Sequence, residues 1–318
     1  MITLSICIPT YNRCEFLMQN LDYFRLHNSE EIEIVILDNA SMDSTEQEVQ
    51  SFIQKYNLYN FHYYRNKNNI GPDANFKNVL SLAQGKYALL LGDDDFLKDD
   101  FFENVIPFLK ENELSFIALS AAEMIKKNKN FSHRYFDENQ IDQFLLTIGP
   151  HITFMSIMIF NTQVVKTVIE TGFSYEQNLY QSFLAIEVIQ VGREKKYAVL
   201  FYNPFSYNGD VSAENYDFYT VFVKKIIKLY EKALITYDND CVFKIYGKAF
   251  KYYLFKFTII LKAIGIKKEI GKENEEILKR FPVYWFLLRL CCFFPSSILS
   301  GCYKIYKKGK RKWKEKQV

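Results

Sequence analysis

The sequence lacks the cysteine and glycine patterns that mark several common small-molecule sites. Its six cysteines include no C-x-x-C pair, and most lie among apolar residues. This spacing argues against a zinc site and favours reduced thiols, packed as small hydrophobic side chains in a cytosolic protein. Glycine is scarce, and neither G-x-G-x-x-G nor G-x-x-x-x-G-K-[ST] occurs. The usual glycine-rich loops for dinucleotides and for triphosphates are therefore not expected.

Segments typical of export or of membrane crossing are also missing. The N-terminal residues MITLSICIPTYNR carry no basic stretch before the apolar run, so we interpret them as a first strand rather than a signal peptide. The apolar stretch at 283–303 is interrupted by Arg289 and Pro295. Because a spanning helix needs about 20 mostly uninterrupted apolar residues, a transmembrane segment is the least favoured interpretation there.

Short apolar runs alternate with longer periodic segments over the first hundred residues. Strands are predicted at 4–9, 32–37, 61–65 and 87–91, and helices at 14–27, 43–56 and 72–84. This alternation is typical of parallel strands joined by right-handed crossovers. The predicted fold class is therefore α/β, with a Rossmann-like, mostly parallel sheet flanked by helices.

The pattern beyond residue 99 predicts a coarser set of elements. They are a helix near 105–110, a strand at 115–125, a loop-rich segment at 126–150, a strand at 153–161, a helix at 176–191 and helical structure from about 217 onward. No internal repeat or low-complexity linker is apparent.

Polar residues cluster directly after each of the four N-terminal strands, at 10–13, 38–41, 66–73 and 92–95. In open α/β sheets, ligands bind outside the carboxyl ends of the strands. We therefore expect the four clusters to meet in one crevice. Aromatic and amide groups in the first cluster suit stacking and hydrogen bonding to a nucleotide base.

Asp93, Asp94 and Asp95 form a run of three carboxylates that repel one another unless something offsets their charge. A divalent cation does so, because hard cations take carboxylate oxygens and bridge phosphates. The triplet therefore predicts a site for Mg²⁺ or Mn²⁺ beside a nucleotide. The alternative is a solvated turn, or the capping region of a helix that begins near Asp99.

The segments SICIPTYNR, VILDNASMDST, NNIGPDANFKN and YALLLGDDDFL resemble, in order and spacing, the motifs of family 2 glycosyltransferases with the GT-A fold. The bacterial sugar transferases of O-antigen and capsule assembly are the most similar group. The resemblance covers residues 1–100 well and continues weakly to about 200. It implies metal-dependent, inverting transfer of a sugar from a nucleotide-sugar donor to a glycan acceptor, which the resemblance to that group suggests is lipid-linked.

The resemblance also implies roles for individual residues. Donor contacts are expected from Pro9, Thr10, Tyr11, Asn12, Arg13, Asp38, Asn39, Asn69, Asp73, Asn75 and Asp93, and metal contacts from Asp93, Asp94 and Asp95. Asp38 would accept a hydrogen bond from the base, whereas Asn12 has the alternative of fixing the turn and Asp73 that of capping a helix. The family pattern Asp-x-Asp-Asp places Gly92 where the first aspartate belongs, while Asp93-x-Asp95 fits only with a shift of one residue. Which two aspartates hold the metal stays open.

The general base is the weakest part of the resemblance. Inverting transfer needs a carboxylate to take the proton of the acceptor hydroxyl, but the family position falls near Gln181. Glu176 and Glu187 are the candidate catalytic residues, spaced to share a face of the predicted helix. The alternative is that both are surface acids. Ser156 and His151 are candidates for lining the acceptor side.

The charge distribution separates the two ends of the chain. Residues 1–240 carry 21 Lys and Arg against 32 Asp and Glu, whereas residues 241–318 carry 19 against 5. Basic, aromatic and apolar residues together predict a C-terminal helix in the interface of an anionic membrane. The alternative is a packed helical subdomain with a solvated tail. No nucleic-acid-binding module accompanies the basic tail, so nucleic acid is not expected as a partner.

These features predict two domains, a GT-A catalytic domain at 1–215 and a helical, basic, membrane-associating region at 216–318. Residues 1–115 would bind the nucleotide and 116–215 the acceptor. The expected location is cytoplasmic, peripheral at the inner face of the cell membrane. Two rival functions stay open: a nucleotidyltransferase, which usually has a glycine-rich basic loop after its first strand, and a non-catalytic protein that binds a nucleotide-sugar or a glycan.

Overall fold

The computed structural model describes residues 1–119, 131–170, 179–192, 194–208, 219–229 and 270–293, together with residues 244, 247, 258, 259, 262, 295, 298 and 300. The chain divides into two compact units, residues 1–210 and 211–318. The predicted boundary between the catalytic and C-terminal regions, after residue 215, lies close to this division.

The first four strands pair in parallel, in the order β3-β2-β1-β4. They are β1 (Leu4–Thr10), β2 (Ile32–Asp38), β3 (Phe61–Arg65) and β4 (Tyr87–Leu90), joined by the helices α1 (Cys14–Leu26), α2 (Thr45–Tyr56) and α3 (Pro72–Leu82). Strands β1 and β2 are buried along their whole length, which explains their continuous apolar runs, since parallel strands are covered on both faces. The predicted α/β sheet is confirmed.

The remaining elements that the structure describes in the first unit add four strands to this sheet, a separate pair of strands and four α-helices. They are β5 (Asp95–Leu97), α4 (Phe101–Glu111), β6 (Leu114–Leu119), β7 (His133–Phe136), α5 (Ile141–Ile148), β8 (Met158–Asn161), α6 (Thr162–Val168), α7 (Tyr180–Val191), β9 (Lys196–Leu200) and β10 (Phe205–Asn208). The large sheet has the order β3-β2-β1-β4-β8-β6-β9-β7, and β5 pairs only with β10. Strand β8 runs antiparallel to both of its neighbours.

Three predictions in this region need correction. The described part of the segment expected to be loop-rich contains β7 and α5, and α5 buries Ile141, Phe144, Leu145 and Ile148, a helical spacing of apolar residues. The strand expected at 153–161 begins only at Met158, because two 3₁₀ turns precede it. The strand expected at 115–125 covers Leu114–Leu119 in the structure, and residues 120–125 lie outside the described residues.

The described part of the second unit is helical, as predicted. It contains a π-helical turn at Thr220–Lys225, α8 (Lys272–Lys279) and α9 (Pro282–Phe293). No helix in the described part of the chain is both long enough and apolar enough to cross a membrane. The basic tail at 304–318 lies outside the described residues.

Candidate functional site

Backbone and side-chain hydrogen bonds join the polar clusters that follow the four parallel strands. The N–H of Asn39 donates to the carbonyl of Thr10 at 2.9 Å, and the N–H of Asn66 donates to that of Asp38 at 2.9 Å. Thr10 also donates its hydroxyl to Asp93 Oδ2 at 2.8 Å. The ends of β1, β2, β3 and β4 therefore meet at one place, at the carboxyl edge of the sheet.

Asp93 is held from three sides and is only 5% exposed. Besides the bond from Thr10, Nη1 of Arg13 lies 3.1 Å from its Oδ1, and the amide of Asn20 donates to its backbone carbonyl at 2.8 Å. Burial raises the pKa of Asp93 to about 6, since it outweighs the opposing effects of Arg13 and Thr10.

Asp95 is also buried, and one serine fixes its orientation. Ser156 donates its hydroxyl to Asp95 Oδ2 at 2.5 Å and accepts the N–H of Gly92 at 2.9 Å. Burial raises the pKa of Asp95 to about 7; the bond from Ser156 opposes this shift, and the charges of Asp94 and Asp93 add to it. Ser156 therefore ties the 3₁₀ turn before β8 to the aspartate triplet, and its expected place on the acceptor side stays a prediction.

Asp94 is the most accessible member of the triplet. Its side chain is 26% exposed, and its Oδ2 lies 2.9 Å from Nη1 of Arg13, whose own side chain is 40% exposed. One guanidinium nitrogen therefore lies between the carboxylates of Asp93 and Asp94. Burial acts to lower the pKa of Arg13, but the two aspartates outweigh it and raise that pKa.

The structure gives a physical reason for glycine at position 92. A Cβ built on Gly92 would lie 2.8 Å from Asp95 Oδ2, 3.3 Å from Asp94 Oδ1 and 3.4 Å from Ser156 Oγ. Any other side chain would therefore displace the carboxylate of Asp95. The run Gly-Asp-Asp-Asp departs from Asp-x-Asp-Asp at the position where this structure has no room for a side chain.

The carboxylate oxygens of the triplet supply only some of the ligands that a divalent metal ion needs. Among the described residues, no group of three or more His, Cys, Asp or Glu side chains is arranged to hold an ion. Both oxygens of Asp93 are hydrogen-bonded, and one oxygen of Asp95 is bonded to Ser156. The set suits a hard cation bound by one or two carboxylates and completed by phosphate oxygens and water.

Asp38 is fully buried and fastens the turn after β2. Its Oδ1 accepts the N–H of Ser41 at 2.8 Å and the Ser41 hydroxyl at 2.5 Å, and its Oδ2 accepts the hydroxyl of Tyr63 at 2.7 Å. These bonds support Ala40, which has a φ of +64°, a strained value for a residue with a Cβ. Contact of Asp38 with a base stays a prediction.

An asparagine network links the second and third clusters. Asn39 donates to Asn69 Oδ1 at 2.9 Å and accepts from Asn66 at 3.1 Å. Asn66 also donates to Asn75 at 2.9 Å, and Asn75 donates to the carbonyl of Leu37 at 3.1 Å. Asn69 is exposed, whereas Asn75 is buried. The structure therefore unites the three predicted asparagines in one loop scaffold.

The first cluster divides into buried and exposed residues. Pro9 is buried in β1 opposite Leu37, and Tyr11 is 38% exposed. Asn12 has a φ of +53°, and its side chain accepts the N–H of Met42 at 2.7 Å, so it fixes the turn against the second cluster. Contact of these residues with a donor stays a prediction.

Asp73 occupies the first turn of α3, directly after Pro72, where an acid is favourable because of the helix dipole. It lies close to α7, since its charge adds to the burial that raises the pKa of Tyr180. The residue that caps α3 is Gly71, so Asp73 supports the start of the helix through its charge, and its contact with the donor stays a prediction.

Of the two candidate bases, the structure describes only Glu187. Glu176 lies outside the described residues. Glu187 is half-buried on α7, and burial raises its pKa. Gln181 lies in the first turn of α7 and donates to the carbonyl of Thr153 at 3.1 Å, three residues before Ser156. Glu187 follows Gln181 by six residues, about 9 Å along the helix axis.

Sequence reasoning missed Asn20 altogether, and it named Ser156 only for the acceptor side and not for its contact with the triplet. Asn20 shares the buried face of α1 with Leu17, Leu21 and Phe24, and a polar residue at that helical spacing is the signal that would have found it. Ser156 is the lone polar side chain inside the apolar run FMSIMIF. Buried polar groups are normally hydrogen-bonded, so both positions pointed to a specific partner.

Comparison with known proteins decides the family. The family model described as Glycosyl transferase family 2 matches residues 5–169, more than half of the chain. The chain belongs to glycosyl transferase family 2. The match contains the whole aspartate triplet and all four strand-end clusters, so the resemblance seen in the motifs is confirmed.

Individual members and solved structures agree with this family. Over 101 residues the chain is 45% identical to the abequosyltransferase RfbV of Salmonella typhimurium. This aligned segment covers 30% of this chain and 29% of that protein. Among solved structures, S. aureus TarS in complex with UDP-GlcNAc has a TM-score of 0.61 at 16% identity, covering 97% of this chain and 92% of the other.

The mannosyltransferase PcManGT of Pyrobaculum calidifontis, solved with GDP-Man and Mn²⁺, has a TM-score of 0.53 at 12% identity, covering 96% of this chain and 87% of the other. At these identities the two structures establish the fold alone, and the GT-A fold of this family 2 member is confirmed. The chain spans less than a third of the length of the abequosyltransferase that it matches.

Proposed function

We propose that this chain is a glycosyltransferase that moves one sugar from a nucleotide-sugar donor to a glycan acceptor, with inversion at the anomeric carbon. The observation that carries the proposal is the junction of four strand ends around Asp93, Asp94 and Asp95, linked by the bonds of Thr10 and Arg13. This junction lies within the segment that matches the family.

The chemistry of the junction supports a nucleoside diphosphate as leaving group. Mg²⁺ or Mn²⁺ held by Asp94 and Asp95, with Asp93 beside them, would stabilise the charge that develops on the departing diphosphate. Tyr11 is exposed and aromatic, which suits stacking on a base. Arg13 brings a cation that suits phosphate oxygens.

The general base is assigned to α7 or to the segment before it. Gln181 cannot take a proton, and it donates a hydrogen bond to Thr153, three residues before Ser156. We therefore propose Glu176, which precedes α7, as the base, with Glu187 as the second candidate. Replacing each glutamate by Gln separates them, because the true base variant loses turnover and keeps its affinity for donor.

Hydrolysis of the donor in the absence of acceptor tests the proposed activity. UDP-, dTDP-, GDP- and CDP-sugars are incubated with the protein and Mn²⁺, and the released nucleoside diphosphate is measured. We expect release from one donor class, lost on chelation and in Asp94→Asn. Asp22→Asn is the matched control, because Asp22 is an exposed acid paired with Arg25 on α1.

Three other results would each point elsewhere. Release of pyrophosphate from a nucleoside triphosphate would favour a nucleotidyltransferase. Donor binding without turnover would favour a non-catalytic binding protein, which is the function that a glutamine at position 181 would suit. Release at equal rates from wild type and Asp94→Asn would contradict the role of the triplet.

We also propose a lipid-linked acceptor and a peripheral location at the inner face of the cell membrane. Helix α9 exposes Val283, Phe286, Leu287, Leu290 and Phe293 by 40 to 88%. The first four follow the spacing of one helix face, and Arg289 lies over the ring of Trp285. An exposed apolar stripe beside basic residues suits an interfacial helix on anionic lipid.

Sedimentation with phosphatidylglycerol vesicles tests this location. We expect the wild type to sediment, and the double variant Phe286→Ser/Leu290→Ser to stay in the supernatant. Tyr59→Ser is the control, since Tyr59 is 67% exposed in the first unit. Equal sedimentation of the double variant and the wild type would contradict membrane binding through α9. Unchanged sedimentation after deletion of residues 304–318 would contradict membrane binding through the basic tail.

A further inference from the structure

One nitrogen of Arg13 lies between two carboxylates of the triplet. Nη1 is 3.1 Å from Asp93 Oδ1 and 2.9 Å from Asp94 Oδ2. Asp93 is 5% exposed, so water gives it little screening. In this state the guanidinium supplies the positive charge that offsets the repulsion between the adjacent carboxylates.

A divalent cation on the same carboxylates would compete with Arg13 for their oxygens. Mg²⁺ binds oxygen ligands at about 2.0–2.1 Å, so it would lie very close to a guanidinium that keeps both of its present contacts. Two positive charges at that separation repel strongly in a partly buried site. A cation that takes Asp93 Oδ1 or Asp94 Oδ2, the two oxygens that Nη1 of Arg13 contacts, must therefore displace Arg13 from at least one of them.

Once displaced from the carboxylates, the guanidinium of Arg13 is placed to bind the phosphates of the donor. Its side chain is 40% exposed, and it lies in the loop between β1 and α1, on the crevice assigned to the donor. Guanidinium groups bind phosphate oxygens through paired, charge-assisted hydrogen bonds. The diphosphate of a donor would supply the negative charge that replaces the two carboxylates.

We infer that Arg13 is an internal counter-cation that makes divalent-metal binding depend on the diphosphate of the donor. The inference rests on the proposed function, because it needs both a metal and a nucleoside diphosphate at this site. Metal alone binds weakly, since it must expel Arg13 into water. The metal and the diphosphate each raise the affinity of the protein for the other, because both bind the state in which Arg13 has left the carboxylates. By linkage the two increases in affinity are equal.

Mn²⁺ binding with and without nucleotide tests this role. Free Mn²⁺ is measured by electron paramagnetic resonance for wild type, Arg13→Gln, Arg13→Lys and Arg25→Gln, alone and with UDP, dTDP, GDP or CDP. We expect Arg13→Gln to bind Mn²⁺ alone about tenfold more tightly than wild type, and to gain less affinity from nucleotide. Arg13→Lys, which keeps the charge, should behave like wild type.

Arg25→Gln is the matched control, because Arg25 pairs with Asp22 on the surface of α1 and should leave Mn²⁺ binding unchanged. Circular dichroism establishes that each variant is folded. Equal or weaker binding of Mn²⁺ alone by Arg13→Gln overturns the inference; if wild type then still binds Mn²⁺ with a nucleotide, the proposed function stands. If no variant binds Mn²⁺ under any condition, both the inference and the proposed metal dependence are wrong.

Discussion

Ser156 donates a hydrogen bond to Asp95 across 61 positions of sequence, with 2.5 Å between Oγ and Oδ2. The same hydroxyl oxygen accepts the N–H of Gly92 at 2.9 Å. One serine, in the 3₁₀ turn that precedes β8, therefore fixes both ends of the Gly-Asp-Asp-Asp run. This relationship connects the second half of the first compact unit to the triplet that follows β4.

Replacing Ser156 by Ala removes the group that orients Asp95. We expect Mn²⁺ affinity, measured in the presence of the preferred nucleoside diphosphate, to fall by about 10- to 100-fold, the usual cost of losing a group that orients a metal ligand. Ser182→Ala is the control, because Ser182 is equally buried and donates to the carbonyl of Ile152. A Ser156→Ala variant that binds as tightly as wild type would contradict the orienting role.

Adding a side chain at Gly92 should disturb the triplet. The new Cβ of Gly92→Ala would lie 2.8 Å from Asp95 Oδ2, so either the carboxylate or the loop must move. We expect donor binding, followed by isothermal titration, to weaken at least tenfold (about 1.4 kcal/mol). In Gly271→Ala the nearest atom to the new Cβ is 3.9 Å away, and that variant should bind like wild type.

Buried aspartates make the metal-free protein sensitive to pH. The pKa values of Asp93 and Asp95 are raised to about 6 and about 7, whereas an unfolded aspartate titrates near 3.9. The native state therefore binds more protons than the unfolded state between about pH 4 and 7, and the free energy of unfolding falls as pH rises through that window.

Thermal unfolding in EDTA from pH 4 to 8 checks this sign. We expect Asp95→Asn, which removes one of the two titrating groups, to lose less stability than wild type as the pH rises. The difference in melting temperature, variant minus wild type, should be a few degrees larger at pH 8 than at pH 4. In a domain of this size 1 kcal/mol corresponds to about 2–4 °C. Parallel curves for the two proteins would show that Asp95 is not the group responsible.

Removing the charge of Asp38 should destabilise the turn after β2. In Asp38→Asn the new amide would face donors from Ser41 and Tyr63, and a buried mismatch of this kind costs about 1–3 kcal/mol. Tyr63→Phe removes only one donor and should cost less. Denaturant unfolding ranks the two variants, and the opposite order would show that Asp38 is not held mainly by Ser41.

The sequence predicted the sheet edge and the convergence of its loops because both follow from local patterns. Continuous apolar runs specify buried parallel strands, and the polar residues after them have to meet at the carboxyl edge. The region after residue 99 was less predictable, because α5 and the turns before Met158 depend on contacts distant in sequence. Ser156 is the clearest case, since its partner Asp95 lies 61 residues away.

The role of Arg13 was only half predictable. The motif PTYNR placed it on the donor crevice, but no spacing rule indicates that one nitrogen bridges Asp93 and Asp94. The same holds for Gly92, whose departure from the family pattern has a meaning only when the position of Asp95 Oδ2 is known. Close packing at a site is a three-dimensional property that periodicity does not encode.

Donor binding to wild type and to Asp94→Asn is the measurement that tests the central claim most directly. Asp94 is partly exposed, so its replacement should leave the fold intact, which a melting curve without ligand verifies. We predict that one nucleotide-sugar, titrated calorimetrically with Mn²⁺, binds wild type and loses most of its affinity in Asp94→Asn. Equal affinity of the two proteins for that donor would contradict the account.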